Sequence, residues 1–208
     1  MYKLYGFKGS GSAAIEMALD AVGAAYTKTD VASWDTSTSI RELSAVNPLV
    51  QIPALVLPDK TVLTESAAIL IYLADAYPSA GIIAQSPLQR ARTIQGLIYL
   101  VANCYPAVGI IDFPERWTSS KESTELEHLR AGTRNRLNYL WEMFADMFEA
   151  TPYLSGSQPG ILDFLAVTIG RMFKVKDYLA ESRPAFHALL TELESHTRLA
   201  GVVARHWG

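Results

Sequence analysis

The chain has 208 residues, enough for one large domain or two small ones with a hydrophobic core. Hydrophobic residues make up 50% of the chain and charged residues 19%, and the net charge of −3 comes without a basic stripe or tail, which argues against a nucleic-acid partner. The longest apolar run, residues 67–74, is much shorter than the about 20 residues that span a membrane, and the single cysteine, Cys104, cannot form an intrachain disulfide, so we expect a soluble, cytoplasmic protein without membrane contact.

The first part of the chain alternates strand and helix patterns. Residues 2–7 form a short β-rich run, and residues 9–12, Gly-Ser-Gly-Ser, form a turn. The apolar residues that follow recur at helical spacing, which predicts a helix whose opposite, polar face carries Glu16 and Asp20. A second strand over residues 26–31 completes a βαβ unit, whose two strands should be parallel with a right-handed crossover.

The next segments complete an α/β domain over residues 1–77. A polar stretch over residues 34–44 predicts a loop and a short helix. Two apolar runs, 54–57 and 61–63, flank Pro-Asp-Lys and predict a β-hairpin. Residues 66–77 are apolar on almost all sides, which predicts a buried helix and the order β-α-β, helix, β-β-α.

Beyond this domain no strand pattern remains, so we expect an all-helical second domain. The composition of residues 78–87, rich in Pro, Ser, Gly and Ala, predicts a linker. The second domain over residues 88–208 should contain helices over 88–110, 122–150, 160–179 and 184–195.

Gln51, Ile52 and Pro53 stand immediately before a predicted strand. If the Ile52–Pro53 bond is cis, the Ile52 main chain turns outward and is free to pair with a peptide ligand. Only about 5–6% of X–Pro bonds in folded proteins are cis, so a proline that simply starts a strand is the more common explanation.

Glu65 and Ser66 open the buried helix. A helix N-terminus has unpaired main-chain N–H groups and partial positive charge, so it binds a carboxylate well. The Ser66 hydroxyl adds a donor and the Glu65 carboxylate accepts an ammonium group, which together match the head group of an amino acid. Helix capping alone is the competing explanation.

The turn over residues 9–12 leads into the first predicted helix, with Ser12 placed as its N-cap and Ser10 near the same positive end. A hydroxyl or main-chain N–H at this place can hold a thiolate and lower the pKa of a thiol. A flexible turn with a capping serine explains Ser12 fully and Ser10 in part.

Together these segments resemble the glutathione transferase superfamily. KLYGFKGSGSAAIEMAL, from Lys3, is similar to the first strand, active-site turn and first helix of bacterial members, and NPLVQIPAL and LTESAAILIYLADAYP are similar to the patterns NPxGxVPxL and LxESxAIxxYLA. PYLSGSQPGILDFLAV is similar to the helix start yLaGdxxSxADxxl, with Asp163 as its capping aspartate and Gly160 in place of serine. Glycine caps cost only a few tenths of a kcal/mol relative to serine, so this helix should still form. The resemblance implies a thioredoxin-like first domain and an all-α bundle after it.

The resemblance also implies that glutathione is the co-substrate and lies along the first domain, without a metal. Its γ-glutamyl end would contact Glu65 and Ser66, and its cysteine main chain would pair with Ile52 beside a cis Pro53. The same segment, with Gln51, would form the glutathione-binding surface.

The thiolate of glutathione would then face the turn. The tyrosine that many animal members use has no counterpart there, because Tyr5 lies within the first strand, and the cysteine of one bacterial class falls near Gly11. Ser10 is therefore the first candidate for thiol activation and Ser12 the second, each as a hydrogen-bond donor to the thiolate and not as a base.

Four residues on or just past the first long helix are candidates for a substrate pocket: Asn103, Tyr105, Phe113 and Trp117. Core or interface packing explains their side chains equally well. The four histidines show no metal-ligand spacing and are interpreted as surface or structural residues, so we predict no metal.

The resemblance implies a homodimeric glutathione transferase that activates the thiol of glutathione for attack on a small hydrophobic electrophile in detoxification. The alternatives are another glutathione-dependent activity, such as peroxide reduction, isomerisation or ether cleavage, or a non-catalytic interaction protein with the same fold. A redox or thiol-exchange role would favour a cysteine in the turn, which has none. Intact Ile52-Pro53 and Glu65-Ser66 pairs argue against a non-catalytic role.

Overall fold

A computed structural model describes residues 1–35 and 40–208. The strands and helices, in chain order, are β1 Tyr2–Gly6, α1 Ser12–Ala21, β2 Tyr26–Asp30, α2 Ile40–Val46, β3 Ala54–Val56, β4 Val62–Thr64, α3 Ser66–Ala76, α4 Pro87–Tyr99, α5 Tyr105–Asp112, α6 Ser123–Met147, α7 Ile161–Gly170, α8 Val175–Ser182, α9 Pro184–Ser195 and α10 Ala200–Trp207. A π-helical segment, Leu100–Cys104, joins α4 to α5. Part of the polar stretch for which a loop was predicted lies outside the described residues.

The four strands form one mixed sheet in the order β2-β1-β3-β4. β1 and β2 are parallel and are connected through α1, while β3 is antiparallel to both β1 and β4. The predicted order of strands and helices is therefore confirmed. On the α1 and α3 side of the sheet, Leu4, Leu55, Ile15 and Leu70 are completely buried, and each such side chain stabilises the fold by about 1.5–3 kcal/mol.

Helix α7 lies at the centre of the molecule, because α1, α3, α4 and α9 all pack against it. All ten of its residues are buried. The contact with α4 depends on Gly96, where a Cβ would lie 2.5 Å from a methyl carbon of Leu162. The helical part of the chain is thus packed directly against the part that carries the sheet.

The start of α7 is held by the carboxylate predicted from the sequence. Asp163 accepts hydrogen bonds from the main-chain N–H groups of Leu154 (2.8 Å), Ser155 (3.0 Å) and Gly160 (2.9 Å). The Ser155 hydroxyl accepts a further bond, at 3.1 Å, from the N–H of Leu162 in the first turn of α7. A serine five residues upstream thus caps the helix where Gly160 has no side chain, and the prediction that the helix still forms is confirmed.

The structure also explains why a glycine stands at this cap. The N–H of Ile161 donates to the Ile82 carbonyl oxygen at 2.9 Å, which brings the two backbones together. A Cβ on Gly160 would overlap that carbonyl group. Glycine is required here by close approach and not by an unusual backbone conformation.

The helices differ from the sequence expectations in three respects. The single helix predicted over residues 160–179 is two helices, α7 and α8, because Phe173 and Lys174 have positive φ angles of 52° and 60° between them. Helix α10 was not predicted. Since α10 packs on α1, the face that was expected to be polar and exposed is covered there, and Glu16 is only 2% exposed.

Among the residues that the structure describes, one helical stretch, Pro87–Asp112, is long and apolar enough to cross a membrane by length and composition alone. The core helix of a soluble protein passes the same test. This stretch packs against α3, α6 and α7.

We expect Gly160→Ser to destabilise the protein although it restores the serine of the superfamily pattern. The added side chain must displace the Ile82 backbone, and overpacking of this kind costs about 1–3 kcal/mol. Urea unfolding measures the change. Ser155→Ala is the matched control, because it removes the cap that replaces the missing serine and should cost about 1 kcal/mol. A more stable Gly160→Ser variant would contradict this account of the glycine.

Candidate functional site

The strand register brings three of the predicted segments to one edge of the sheet. Tyr5 pairs with Ala54, and Ala54 pairs with Thr64. The residues after β1, before β3 and after β4 therefore lie side by side: the turn over 9–12, then Ile52 and Pro53, then Glu65 and Ser66.

The width of this row has a physical meaning. Neighbouring strands lie about 4.8 Å apart, so the row from the β1 end to the β4 end measures about 10 Å. An extended tripeptide has about the same length, since each residue spans up to about 3.5 Å. The edge is wide enough for a short peptide lying across the strand ends.

The middle of the row presents an open main chain. The Ile52–Pro53 peptide bond is cis, as the sequence hypothesis required. Within the described ranges, neither the N–H nor the carbonyl oxygen of Ile52 has a hydrogen-bond partner. Both groups are therefore free to pair with the main chain of a ligand.

Asn47 shapes the loop that leads to this segment. Its side-chain amide donates to the Gln51 carbonyl oxygen at 2.8 Å, and its Oδ1 accepts from the Leu49 N–H at 3.1 Å. Asn47 is only 5% exposed, whereas the Gln51 side chain is exposed. The sequence analysis included Asn47 only as part of the NPLVQIPAL segment and did not identify the hydrogen bonds by which it holds this loop.

Glu65 and Ser66 form the far end of the row, at the N-terminus of α3. Glu65 has a φ of 65°, which is uncommon for a residue other than glycine and costs of order 1–3 kcal/mol. Its carboxylate is exposed and forms no ion pair with any described residue, and the Ser66 hydroxyl likewise has no partner there. The first helical hydrogen bond is that of Ile69 to the Glu65 carbonyl oxygen, so the N–H groups before it remain open.

At the near end, the expected cap by Ser12 is wrong. Gly11 precedes the helix without a side-chain cap, and Ser12 is the first helical residue. Ser12 is completely buried, and its hydroxyl accepts from the Phe7 N–H at 3.2 Å. It lies so close to Gly6 that a Cβ on that glycine would overlap it. Ser12 thus stabilises the turn from its buried side.

Ser10 lies beside it and is 7% exposed. The Ser10 hydroxyl donates to the Phe7 carbonyl oxygen at 2.8 Å and lies 2.9 Å from the Ser12 hydroxyl oxygen. Both serines therefore fold the turn back onto Phe7, and of the two only Ser10 has any surface open to a ligand.

Tyr105, the first residue of α5, places a third hydroxyl at the turn. The π-helical segment precedes it in the chain, and its hydroxyl oxygen lies where a Cβ on Gly11 would stand. Burial and, to a smaller degree, the nearby Asp112 carboxylate raise the pKa of Tyr105 to about 12, while a hydrogen bond from the Gly11 main chain acts in the opposite direction. The phenol therefore stays protonated at neutral pH, and its O–H donates to no acceptor among the described residues, so it can donate to a ligand.

The other three pocket candidates do not make this contact. The Asn103 amide donates to the Tyr99 carbonyl oxygen at 3.1 Å, and Asn103 lines a separate cleft of about 360 Å³ between α5 and α6. The Phe113 ring is covered by the Arg116 guanidinium at 4.0 Å, and Trp117 is 58% exposed. Asn103 thus faces the cleft between α5 and α6, whereas Tyr105 faces the turn at Gly11.

Behind the turn lies a residue that the sequence interpretation missed. The Gly9 N–H donates to Nδ1 of His206 at 3.0 Å. The two residues are 197 positions apart, and no local pattern marks the pair. Among residues 1–35 and 40–208, no three His, Cys, Asp or Glu side chains gather as ligands of a metal ion would.

Comparison with known proteins identifies a family model, two sequence relatives and a solved structure that are similar to this chain. The family model described as the glutathione S-transferase N-terminal domain matches residues 12–76. An uncharacterised GST-like protein of Escherichia coli K12, YncG, is 32% identical over 171 residues, which cover 81% of this chain and 80% of that protein. The glutathione S-transferase GstA of Escherichia coli O157:H7 is 34% identical over 103 residues, 49% of each chain. A glutathione transferase homologue from Sulfitobacter, solved with bound glutathione, shares the fold with a TM-score of 0.85 at 22% identity, covering 97% of this chain and 96% of that one.

We expect the contact between Gly11 and Tyr105 to appear as a coupling in stability. Gly11→Ala should lower the free energy of unfolding by about 1–3 kcal/mol, because the new methyl group overlaps the hydroxyl. In a Tyr105→Phe background the same change should be close to neutral, since the overlapping oxygen is gone. Gly132→Ala is the control, since a Cβ there meets nothing within 4 Å and alanine favours a helix. Equal effects of Gly11→Ala in both backgrounds would place the hydroxyl elsewhere.

Proposed function

This chain belongs to the glutathione S-transferase family, and we propose that it binds glutathione and activates its thiol for attack on a small hydrophobic electrophile. The observation that carries the proposal is the row of unpaired groups along one sheet edge, which matches a short peptide in length and in chemistry. The bound glutathione of the Sulfitobacter homologue supports the same ligand.

Each part of glutathione has a partner of fitting chemistry. The carboxylate of the γ-glutamyl group would accept from the open N–H groups of α3 and from the Ser66 hydroxyl, where the helix end also carries partial positive charge. Its ammonium group would pair with Glu65. The main chain of its cysteine would exchange hydrogen bonds with Ile52, beside Pro53 and the exposed Gln51.

This placement brings the thiol to the turn. We propose Ser10 as the serine that lines the thiol site, since the complete burial of Ser12 assigns it to shaping the turn. The Tyr105 hydroxyl, which lies against Gly11, is the second donor. The Ser10 O–H must turn from the Phe7 carbonyl oxygen to reach the thiolate, whereas a donor that is held in place before the reaction stabilises the thiolate without having to reorganise.

The reaction follows from that thiolate. The thiol proton leaves to solvent, and the sulfur electron pair attacks an electrophilic carbon. A carbon–sulfur bond forms, and the leaving group departs with its bonding electrons. The protein supplies the lowered thiol pKa and the alignment of the two reactants. Tyr105 and, just past the end of α5, Phe113 and Trp117 would line the electrophile side.

The only cysteine of the chain favours conjugation over thiol exchange. Cys104 is completely buried, and burial raises the pKa of its thiol to about 12. It is therefore neither exposed nor ionised, as an exchanging thiol must be. Peroxide reduction, isomerisation and ether cleavage remain the alternatives to be tested against a panel of electrophiles.

We further propose that the protein is a cytoplasmic homodimer with a role in detoxification, divided into domains at residues 78–87. Apolar side chains on α4 and α6 support a partner surface: Leu88, Ile98 and Tyr139 are 68%, 50% and 48% exposed. Light scattering across a range of concentrations measures the assembly directly.

We expect Glu65→Gln to weaken glutathione binding about tenfold. The change keeps the shape of the side chain but removes the charge that pairs with the ammonium group, and a hydrogen bond to a charged group contributes about 1.5 kcal/mol at an exposed site. Calorimetry gives the affinity. Glu149→Gln, at an exposed glutamate of the second half, is the matched control. Unchanged affinity with an intact fold would place the γ-glutamyl end elsewhere.

We expect the thiol of bound glutathione to titrate well below the free value of about 8.5. Ser10→Ala and Tyr105→Phe should each raise this pKa and lower turnover, with little change in glutathione affinity, because most ground-state contacts lie at Ile52, Glu65 and Ser66. Thiolate absorbance of the complex against pH measures the shift.

Ser12→Ala serves as the comparison in the same titration, because it should lower stability more than it shifts the thiol. If only Ser12→Ala shifts the curve, the assignment of Ser10 is wrong. If none of the three variants shifts it, the main-chain N–H groups carry the stabilisation.

A further inference from the structure

We propose that His206 of α10 is a positioning residue for the thiol-facing turn, and that Glu16 of α1 fixes the state of its ring. This inference rests on the proposed function, because the turn matters only if a thiol lies against it. His206 and Glu16 are each 2% exposed, so neither touches the ligand.

The hydrogen bonds of His206 define which ring nitrogen carries the proton and which one accepts. Nδ1 of His206 accepts from the Gly9 N–H at 3.0 Å, so it carries no proton. The proton of the neutral ring is therefore on Nε2, which lies 2.7 Å from Oε1 of Glu16 and donates to it. A carboxylate that holds one ring nitrogen sets the tautomer and aims the other nitrogen.

Glu16 is suited to this role because it stays ionised. Burial opposes its charge, but the hydrogen bond from His206 and the ammonium group of Lys28, 3.2 Å away on β2, together hold its pKa below the usual value. Arg205 of α10 lies 3.6 Å from the other carboxylate oxygen, and Tyr26 donates to that oxygen at 3.4 Å. The acceptor for His206 is thus present throughout the neutral range.

Gly9 is the residue of the turn that depends on a hydrogen bond to a residue outside the turn. Its φ of 73° is in the left-handed region, and a glycine with no side chain holds such a conformation weakly. The internal bonds of the turn serve Ser10 and Ser12 through Phe7, while the Gly9 N–H donates only to His206 among the described residues. Helix α10 also covers this point, with the Trp207 indole nitrogen 3.8 Å from the place of a Cβ on Gly9.

The consequence concerns the thiol site directly. Gly9 is followed by Ser10 and Gly11. The Ser10 hydroxyl is proposed to face the thiolate, and the Gly11 main chain faces the Tyr105 hydroxyl. Fixing Gly9 fixes the main chain that carries both groups, which lowers the reorganisation that electrostatic stabilisation of the thiolate requires. A helix at the far end of the sequence thereby positions the turn at its beginning.

Two variants separate this role from a merely structural one. In His206→Asn, Oδ1 stands where Nδ1 stood, so it keeps the acceptor for Gly9 and loses the donor to Glu16. In His206→Gln, the longer amide keeps the donor to Glu16 and loses the acceptor for Gly9. Both are made in the full chain, and circular dichroism with thermal melting confirms that each variant folds.

The first measurement is hydrogen exchange of the Gly9 amide, which needs no glutathione. We expect slow exchange in wild type and His206→Asn and fast exchange in His206→Gln. The second is the thiol pKa and turnover of the glutathione complex. We expect His206→Gln to raise the thiol pKa and lower kcat about tenfold, while His206→Asn stays near wild type in both and melts at a lower temperature.

The outcomes are distinct. Equal thiol pKa and kcat in wild type and His206→Gln, or a loss confined to His206→Asn, would overturn the positioning role and reduce His206 to a structural residue. Fast Gly9 exchange in the wild type would overturn the contact itself. A wild-type protein that binds no glutathione would count against the proposed function, and the Gly9 exchange comparison would still decide whether His206 holds the turn.

Discussion

The antiparallel pairing of β3 with both β1 and β4 is the constraint on which the site depends. Because β3 runs against both neighbours, the end of β1, the start of β3 and the end of β4 fall at one edge of the sheet. A shift of one residue in either pairing would turn the neighbouring side chains to opposite faces and bury groups that must be open. The unusual backbone of Glu65 is tolerated because it stands at the end of this fixed row, where strain is retained when the surrounding structure determines it.

The local parts of this arrangement were predictable from the sequence, because each has a local physical cause. The βαβ-α-ββα order follows from periodicity and turn residues, and Glu65-Ser66 follows from the chemistry of a helix start. Pro53 gained its meaning only from the resemblance, since a single proline does not reveal its isomer. The aspartate cap of α7 was also visible, but its replacement serine, Ser155, was not, because that hydrogen bond joins a loop to a helix whose relative positions the sequence does not specify.

The predictions that failed have other causes. Glu16 has the helical spacing of a solvent-exposed residue, but α10, packed onto α1, and the β2 side chains of Lys28 and Tyr26 bury it. Ser12 has the composition of a cap but lies one residue inside the helix, because its hydroxyl is drawn to Phe7 and the space beside Gly6 is filled. His206 has no neighbour in sequence that suggests a role. The partners of Glu16 and His206 lie outside any window that a pattern of residues covers, whereas those of Ser12 lie just before it in the chain.

The division between predictable and unpredictable residues matches the two ends of the proposed ligand. The groups proposed to hold the γ-glutamyl and cysteinyl main chain come from one short continuous segment, residues 51–66, where a helix end and an open strand edge suffice. The groups around the thiol come from three places: the turn itself, α5 through Tyr105, and α10 through His206. A thiolate is stabilised only by donors aimed at one atom, and a turn with glycine on both sides of Ser10 does not aim them alone. The packing of α5 and α10 against the turn supplies that direction, so under the proposed function the helical part of the chain would set the reactivity of a thiol that the first part binds.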